Sequence, residues 1–531
     1  MQADLLIHGG TLLDGSGSPG YKAAVAVRGD RLVIVRGDTA GVDAGHVIDA
    51  SGLVVAPGFI DMHSHSGLMI LSDPAHEPKV RQGVTTEVIG VDGNSYAPIL
   101  KTEDLSAFVR LNSGLDGRPS IAYDWGTVAS YLSKFDCRVG VNLALMIGNS
   151  ALRICALGWD NVLANRRSLS RMKGMLREGM EEGAFGLSTG LDYPPGSYAT
   201  TDELVHLTGE VAKLGGIYHT HVRYTLGDRF LDPFREAITI GERSGVPVHL
   251  THLYRRTTQV GGSARLLDLV ESAADIGVDV TFDSYPYEWS STRLLMLIPQ
   301  GLQEGGPDRL KERLADPARR AEVRTAIEAR AEAYGGAYVW RSIHLGAFTR
   351  PENAAFEGKT IAEIVAMQGE RDPADVLCDL LLSEDLGVNQ VSSGPDPASL
   401  PQFFTHPRGM VGSDSVFIGE RPSPRTYGTF ARILADLVRE ERRLSLPDAI
   451  RRMTSFPAQR LGLSHRGLLR DDMIADITVF DAEHVGARAT YYDPRRFAEG
   501  VKHVLVNGVV VLDNGQMTGA RPGRALRRGR S

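Results

Sequence analysis

The sequence predicts an α/β protein: a (β/α)8, TIM-like barrel, a β-sandwich built from both chain ends, and a helical insertion near the barrel mouth. Three observations predict it. Short apolar runs alternate with helical stretches through the middle of the chain, the pattern of a parallel sheet or barrel. Most of these runs end in a polar, chemically capable residue, as barrel strands do where their carboxyl ends build a site. The two chain ends instead read as short strands broken by turn residues. With 531 residues the chain accommodates a barrel of about 250 residues or more beside a smaller domain.

Taken in order, runs at 5–8, 23–27 and 31–35 are separated by Asp14-Gly15-Ser16-Gly17 and Arg28-Gly29-Asp30. Runs at 475–480 and 501–511 have the same character. Residues 1–57 and 458–531 are therefore expected to form one sandwich, and 58–457 the barrel. Candidate barrel strands follow the apolar run that opens at Val54, at 85–90, 139–146, 185–188, 216–221, 246–252, 278–283 and 410–414. The segment at about 293–345 is charged and helical and carries no strand ends, so it reads as an insertion over the mouth, either a lid or a solvated decoration.

Composition narrows the function. A hydrophobic fraction of 42%, a charged fraction of 23% and a mean hydropathy of −0.13 are those of a globular protein, and no apolar run is long enough to span a bilayer. Asp4 stands where a secretory signal wants positive charge, so the cytoplasm is the expected compartment. Cys137, Cys155 and Cys378 are odd in number and lack CxxC spacing, which suggests core filling rather than disulfides or a thiolate zinc cluster. A net charge of −7 argues against a nucleic-acid partner and leaves a small-molecule substrate as the expected one; oligomeric state is not legible. Five arginines between 521 and 530 read as a solvated or self-docking tail.

The chemistry begins at Val54-Val55-Ala56-Pro57-Gly58-Phe59-Ile60-Asp61-Met62-His63-Ser64-His65, an apolar run closed by His-x-His. Residues i and i+2 of a strand share a face, so both imidazoles can address one ion. His221 and His252 close two later strands and Asp414 the last, and imidazole with carboxylate suits zinc, as one ion or two. A hydrolytic site needs a metal to lower the pKa of water, a carboxylate to take the proton and a group to hold the carbonyl oxygen. Asp414 is placed to be the general base and then the acid toward a departing amine, or to be a ligand alone. Arg425 could bind a carboxylate through its planar fork, or form a surface ion pair.

In this setting the residues resemble the N-acyl-D-amino-acid deacylases (D-aminoacylases) of the amidohydrolase superfamily, over nearly the whole chain. The marks are residues 56–65, Gly83-Val84-Thr85-Thr86, Gly186-Leu187-Ser188-Thr189-Gly190-Leu191-Asp192-Tyr193-Pro194-Pro195-Gly196, Asp283-Ser284-Tyr285-Pro286-Tyr287, Gly412-Ser413-Asp414, residues 423–430 and 453–458. The resemblance implies hydrolysis of an N-acyl-D-amino acid to a carboxylate and the free D-amino acid. It places His221 and His252 at a tightly bound zinc, and His63, His65 and Asp414 around a second, weaker metal position with Asp414 as base. It further assigns Tyr285, Ser291 and Arg425 to the substrate α-carboxylate and Tyr193 to the substrate pocket.

Three positions depart from the family. Asp92 stands where a metal-bridging cysteine is common, and a carboxylate can also bridge two cations. Tyr254 stands where members acting on acidic D-amino acids carry lysine, which disfavours acidic side chains unless Arg255 or Arg256 compensates. Asp192 occupies an often apolar pocket position and would favour a polar or basic side chain if it faced the substrate. Two rival readings remain: a cyclic-amide hydrolase resembling hydantoinases or dihydroorotases, which want a bridging lysine that residues 147–150 lack, and a non-catalytic scaffold, which has no need of the five ligands.

Overall fold

The computed structural model describes residues 1–224, 229–256, 259, 261–333 and 339–529. Residues 334–338 of the expected insertion, and 530–531 of the arginine tail, lie outside them.

Eight parallel strands form the barrel: β1 (Phe59–Asp61), β2 (Val84–Ile89), β3 (Asn142–Leu145), β4 (Gly186–Gly190), β5 (Ile217–His221), β6 (Val248–Leu250), β7 (Val280–Ser284) and β8 (Gly409–Val411). Ile147–Gly148, just past β3, pairs with β4, and the Met62 amide donates to the Val411 carbonyl at 3.1 Å, so the ring closes between β8 and β1. Every residue of these strands is buried, as expected of parallel strands covered on both faces. Ile60, Met62, Val88, Ala144, Met146, Ile217 and Met410 share one apolar cluster, which Ala458, Leu461, Leu463 and Leu526 join. The sequence boundary at 457/458 thus assigns to the sandwich four residues that pack with the barrel: Ala458 and Leu461 lie on the buried side of helix Ser455–Leu461, and Leu463 and Leu526 join them from outside it.

The sandwich pairs a four-stranded sheet from residues 2–49 with a seven-stranded sheet drawn from both ends. In the latter, Val54–Pro57 lies antiparallel to Ile477–Phe480, with Val54 opposite Phe480. Leu5, Ile7, Val25, Val27, Leu32, Val55, Ile477, Val479 and Leu505 form its core. Because Val54–Pro57 runs on into β1, the sandwich fixes the strand that carries His63 and His65. The arginine tail docks on its own chain: the Leu526 amide donates to Leu143 O at 2.7 Å, and the Arg527 and Arg528 guanidinium groups reach Asp136 and the Leu214 and Gly215 carbonyls. Of the cysteines, Cys378 fills core space, whereas Cys137 is exposed.

The insertion holds the expected helices, Gly306–Ala315 and Pro317–Ala333, but it is wider than 293–345 and contains a sheet. Trp289–Arg293, Asn389–Ser393 and Ile343–Gly346 pair antiparallel, with the middle strand furthest along the chain. Helices Ile361–Met367 and Pro373–Ser383 complete a unit with its own apolar core around Leu310, Leu314, Leu377 and Leu381. The strands escaped the sequence reading because Trp-Ser-Ser-Thr-Arg and Asn-Gln-Val-Ser-Ser are mostly polar and lack apolar alternation.

Candidate active site

The carboxyl ends of the strands converge as the sequence demands. His63 and His65 follow β1, Asp92 follows β2, His221 ends β5, His252 follows β6 and Asp414 follows β8. Asp92, His252 and Asp414 have φ of +53°, +35° and +49°, left-handed backbone that aspartate and histidine tolerate better than most residues. The Asp92 turn is pinned by close approach of backbone: a Cβ on Gly190 would stand 2.1 Å from Asp92 O, which requires the glycine there.

Asp92 is the centre of the cluster. Its Oδ1 lies 3.5 Å from His63 Nε2, and its Oδ2 lies 3.7 Å from His65 Nε2, 3.5 Å from His221 Nδ1 and 3.9 Å from His252 Nε2. Asp414 Oδ1 lies 3.4 Å from His63 Nε2 and 3.3 Å from His65 Nε2, while Asp414 Oδ2 takes Arg425 Nη2 at 2.8 Å. Two donor groups result, one of His63, His65, Asp92 and Asp414, the other of Asp92, His221 and His252, sharing Asp92.

Outer groups fix the imidazoles from behind. Asp116 Oδ1 holds His65 Nδ1 at 2.6 Å, Asp192 Oδ2 holds His221 Nε2 at 3.1 Å, and the Tyr224 hydroxyl meets His252 Nδ1 at 3.0 Å. Asp283 approaches His63 Nδ1 at 3.8 Å and accepts the His252 backbone amide at 2.8 Å. Each ring thereby turns its other nitrogen inward, the arrangement by which such partners orient metal-binding histidines. His63 Nδ1 and Nε2, His65 Nε2 and Asp92 Oδ1 are buried without a hydrogen bond among the described residues. Buried polar atoms left without partners are expensive, and a divalent cation is the partner this donor set fits.

The charges agree. Burial alone would lower the pKa of His63, yet Asp92 and Asp414 carry it up to about 10. His221 rises to about 9 against burial, drawn by Asp92 and Asp192. Burial would raise Asp414, but Arg425 and His63 bring it down to about 2. The protons that these carboxylates draw onto the buried imidazoles balance a charge that a bound cation would balance instead, with the rings then neutral ligands.

A cavity of about 220 Å³ opens on this cluster, walled by Asp92, Asp192, Tyr193, Tyr254, Tyr285, Ser291 and Asp414. A larger cleft of about 780 Å³ lies between the insertion and the barrel and touches none of the cluster. Tyr193 packs its ring 4.9 Å from His221 and bonds Thr292 through its hydroxyl at 2.9 Å. Tyr254 lies between the rings of His252 and Tyr285. Arg425, fully buried behind the wall, stacks 4.5 Å over Tyr285 and donates to Ser291 O at 3.1 Å. All twelve residues singled out from the sequence are thus in one place, but Asp192 is engaged with His221 rather than held open as a receptor. Sequence reasoning gave no role to Asp283, Asp116 or Tyr224. Asp283, the last residue but one of β7, obeys the same strand-end rule as the histidines; Asp116 ends helix Thr102–Asp116 and Tyr224 lies in a loop, where no pattern marks them.

Residues 46–512 match the amidohydrolase family. The chain is 33% identical to an N-acyl-D-glutamate deacylase of Alcaligenes xylosoxydans xylosoxydans, covering 99% of this chain and 96% of that one. It is 34% identical to a D-aminoacylase of the same organism, covering 99% and 98%. Among solved structures, the N-acyl-D-glutamate deacylase of Bordetella bronchiseptica, complexed with zinc and a phosphonate mimic of the tetrahedral intermediate, superposes with a TM-score of 0.83 at 31% identity, covering 99% and 100%. With a closed barrel, a sandwich from both ends and a histidine–aspartate cluster at the strand ends, the chain belongs to the amidohydrolase family.

Proposed function

We propose that this protein hydrolyses N-acyl-D-amino acids, releasing a carboxylate and the free D-amino acid. The observation that carries the reading is Arg425. It is fully buried, it touches the candidate base, and its Nε and Nη1 have no hydrogen bond among the described residues. A buried guanidinium with two nitrogens to satisfy beside a hydrolytic cluster suits a substrate whose scissile amide lies next to a carboxylate. D-configuration is supported by the relatives, whose names specify it.

Zinc, held by His63, His65, Asp92, His221, His252 and Asp414 as one ion or two, would lower the pKa of a water and polarise the amide carbonyl. Arg425 receives the α-carboxylate, with Tyr285 and Ser291 beside it, and so sets the amide against the cluster. By holding Asp414 Oδ2, Arg425 also turns Oδ1 toward His63 and His65. Asp414 takes the water's proton and returns it to the amine nitrogen, which must leave protonated. Burial of the whole cluster keeps bulk water away from these charges, where electrostatic guidance is strongest.

The test is amine release from N-acetyl-D- and N-acetyl-L-amino acids by zinc-loaded protein. Release confined to the D series supports the reading, and release confined to the L series refutes it.

A further inference from the structure

Two histidines inside the barrel belong to neither donor group: His219 and His249, both fully buried. His219 is the middle residue of β5, two before His221 and on the same face, so it stands one layer deeper in the barrel. His249 is the middle residue of β6. Their rings stack with centroids 5.0 Å apart, and the ring of His219 meets that of His63 edge-on at 5.7 Å. Aliphatic side chains usually fill a barrel interior, and a buried imidazole needs partners for its polar atoms.

Those partners lead to the cluster. His219 Nε2 donates at 3.0 Å to the carbonyl of Met62, the residue before His63. His249 Nε2 donates to Asp283 Oδ2 at 3.0 Å. Burial holds the His249 pKa below its ordinary value, so the ring is neutral and its Nδ1 accepts from the Thr281 hydroxyl at 2.8 Å. Asp283 Oδ2 is also the oxygen that faces His63 Nδ1, while Asp283 Oδ1 takes the His252 amide. A Cβ on Gly412 would stand 2.6 Å from Asp283 Cγ, so the carboxylate packs against the backbone two residues before Asp414. One carboxylate thus backs His63 of the first donor group and His252 of the second. Held at Oδ1 alone it could swing Oδ2 away from His63; the second bond, from His249, fixes its plane.

We propose that His249 is a positioning residue of the metal centre, holding Asp283 so that it orients the His63 ring and the His252 turn together. The proposal rests on the cluster binding metal and not on which amide is cut.

Cobalt(II) in place of zinc tests this, because its visible absorption reports ligand geometry and its affinity is read by competition with a chelator. The expected result for His249→Leu is binding weaker by about 10-fold or more, the cost typical of losing an outer partner of a metal ligand, together with an altered absorption band. His249→Gln, whose amide can donate where Nε2 does, restores most of both. Thr281→Val, which removes only the hydroxyl behind Nδ1, moves both in the same direction by less. Wild-type affinity and absorption in His249→Leu, with only a lower melting temperature of the metal-free protein, would show a structural histidine and overturn the proposal. If His249→Leu does not fold, unchanged affinity and absorption in Thr281→Val overturn it instead. The ligand atoms of His63, His219 and Asp283 also lie within 4.8 Å of one another, so a third equivalent of cobalt in wild type that His219→Ala removes would place an ion there and overturn the positioning role. Wild type that binds no cobalt overturns the metal reading along with it.

Discussion

Asp414 faces two ways: Oδ1 toward His63 and His65, Oδ2 toward Arg425. An amide cannot accept a proton as a carboxylate does, so Asp414→Asn should lower kcat by a factor of about 1,000 or more while metal analysis still finds at least one ion bound. Turnover within about tenfold of wild type, only ~1.4 kcal/mol of barrier, would exclude Asp414 as the base. Arg425→Lys replaces a planar fork by a point charge, so substrates with an α-carboxylate should lose about tenfold or more in kcat/KM, and a matched amide without that carboxylate should lose less. At this scale the sequence speaks through position. His63, His65, His221, His252 and Asp414 are legible because strand ends converge in a barrel. The orienting role of Asp192 is not, since nothing in the sequence says that its carboxylate meets His221.

Behind the strand ends lies a fully buried lysine. Lys79 Nζ donates to Asp61 Oδ2 at 2.6 Å, Ser413 Oγ at 2.6 Å and Ser415 Oγ at 2.5 Å, gripping both neighbours of Asp414 and the residue two before His63. Asp61 Oδ1 accepts the His63 and Ser413 amides, so the ends of β1 and β8 are tied through one ammonium group. Lys79→Met should cost about 3–5 kcal/mol in denaturant unfolding, because the buried Asp61 loses its counter-charge and Ser413 and Ser415 lose their donor; Lys79→Met with Asp61→Asn should recover part of it. Glu87, on β2, completes the network. Burial would raise its pKa, but His76 and Lys79 hold it down at about 2, below its ordinary 4.5. A depressed carboxylate stabilises the fold above its unfolded pKa, so its contribution is present at neutral pH and lost as pH falls from about 4.5 toward 2. The stability gap between wild type and Glu87→Gln should close over that window. None of this is legible in the sequence, because Lys79 and Ser413 meet across 334 positions. The insertion's strands were hidden for a different reason, their polar sequence lacking a strand's apolar alternation.

For the whole molecule, barrel and sandwich are legible because each rests on a repeated pattern: apolar runs between helices in the middle, short strands and turns at the ends. What no pattern carries is where parts meet, such as the tail against β3 or Ala458, Leu461 and Leu463 among the barrel's interior side chains. Among the described residues no helix is long and apolar enough to cross a membrane. The cluster joins residues from across the chain, so metal binding should stabilise the whole fold. Chelator-treated protein should melt below the zinc-loaded form, with the difference growing with free zinc as ligand linkage requires. Coincident melting curves would show that His63, His65, Asp92, His221 and His252 hold no ion.

Hydrolysis of an N-acyl-D-amino acid at this cluster is measured by amine release from paired N-acetyl-D- and N-acetyl-L-amino acids, using zinc-loaded wild type and Asp414→Asn. Wild type should release amine from D-substrates alone, and the variant should lose that release. Release from the L series instead, or none from either series by protein that has bound its metal, would contradict D-specific hydrolysis at this cluster.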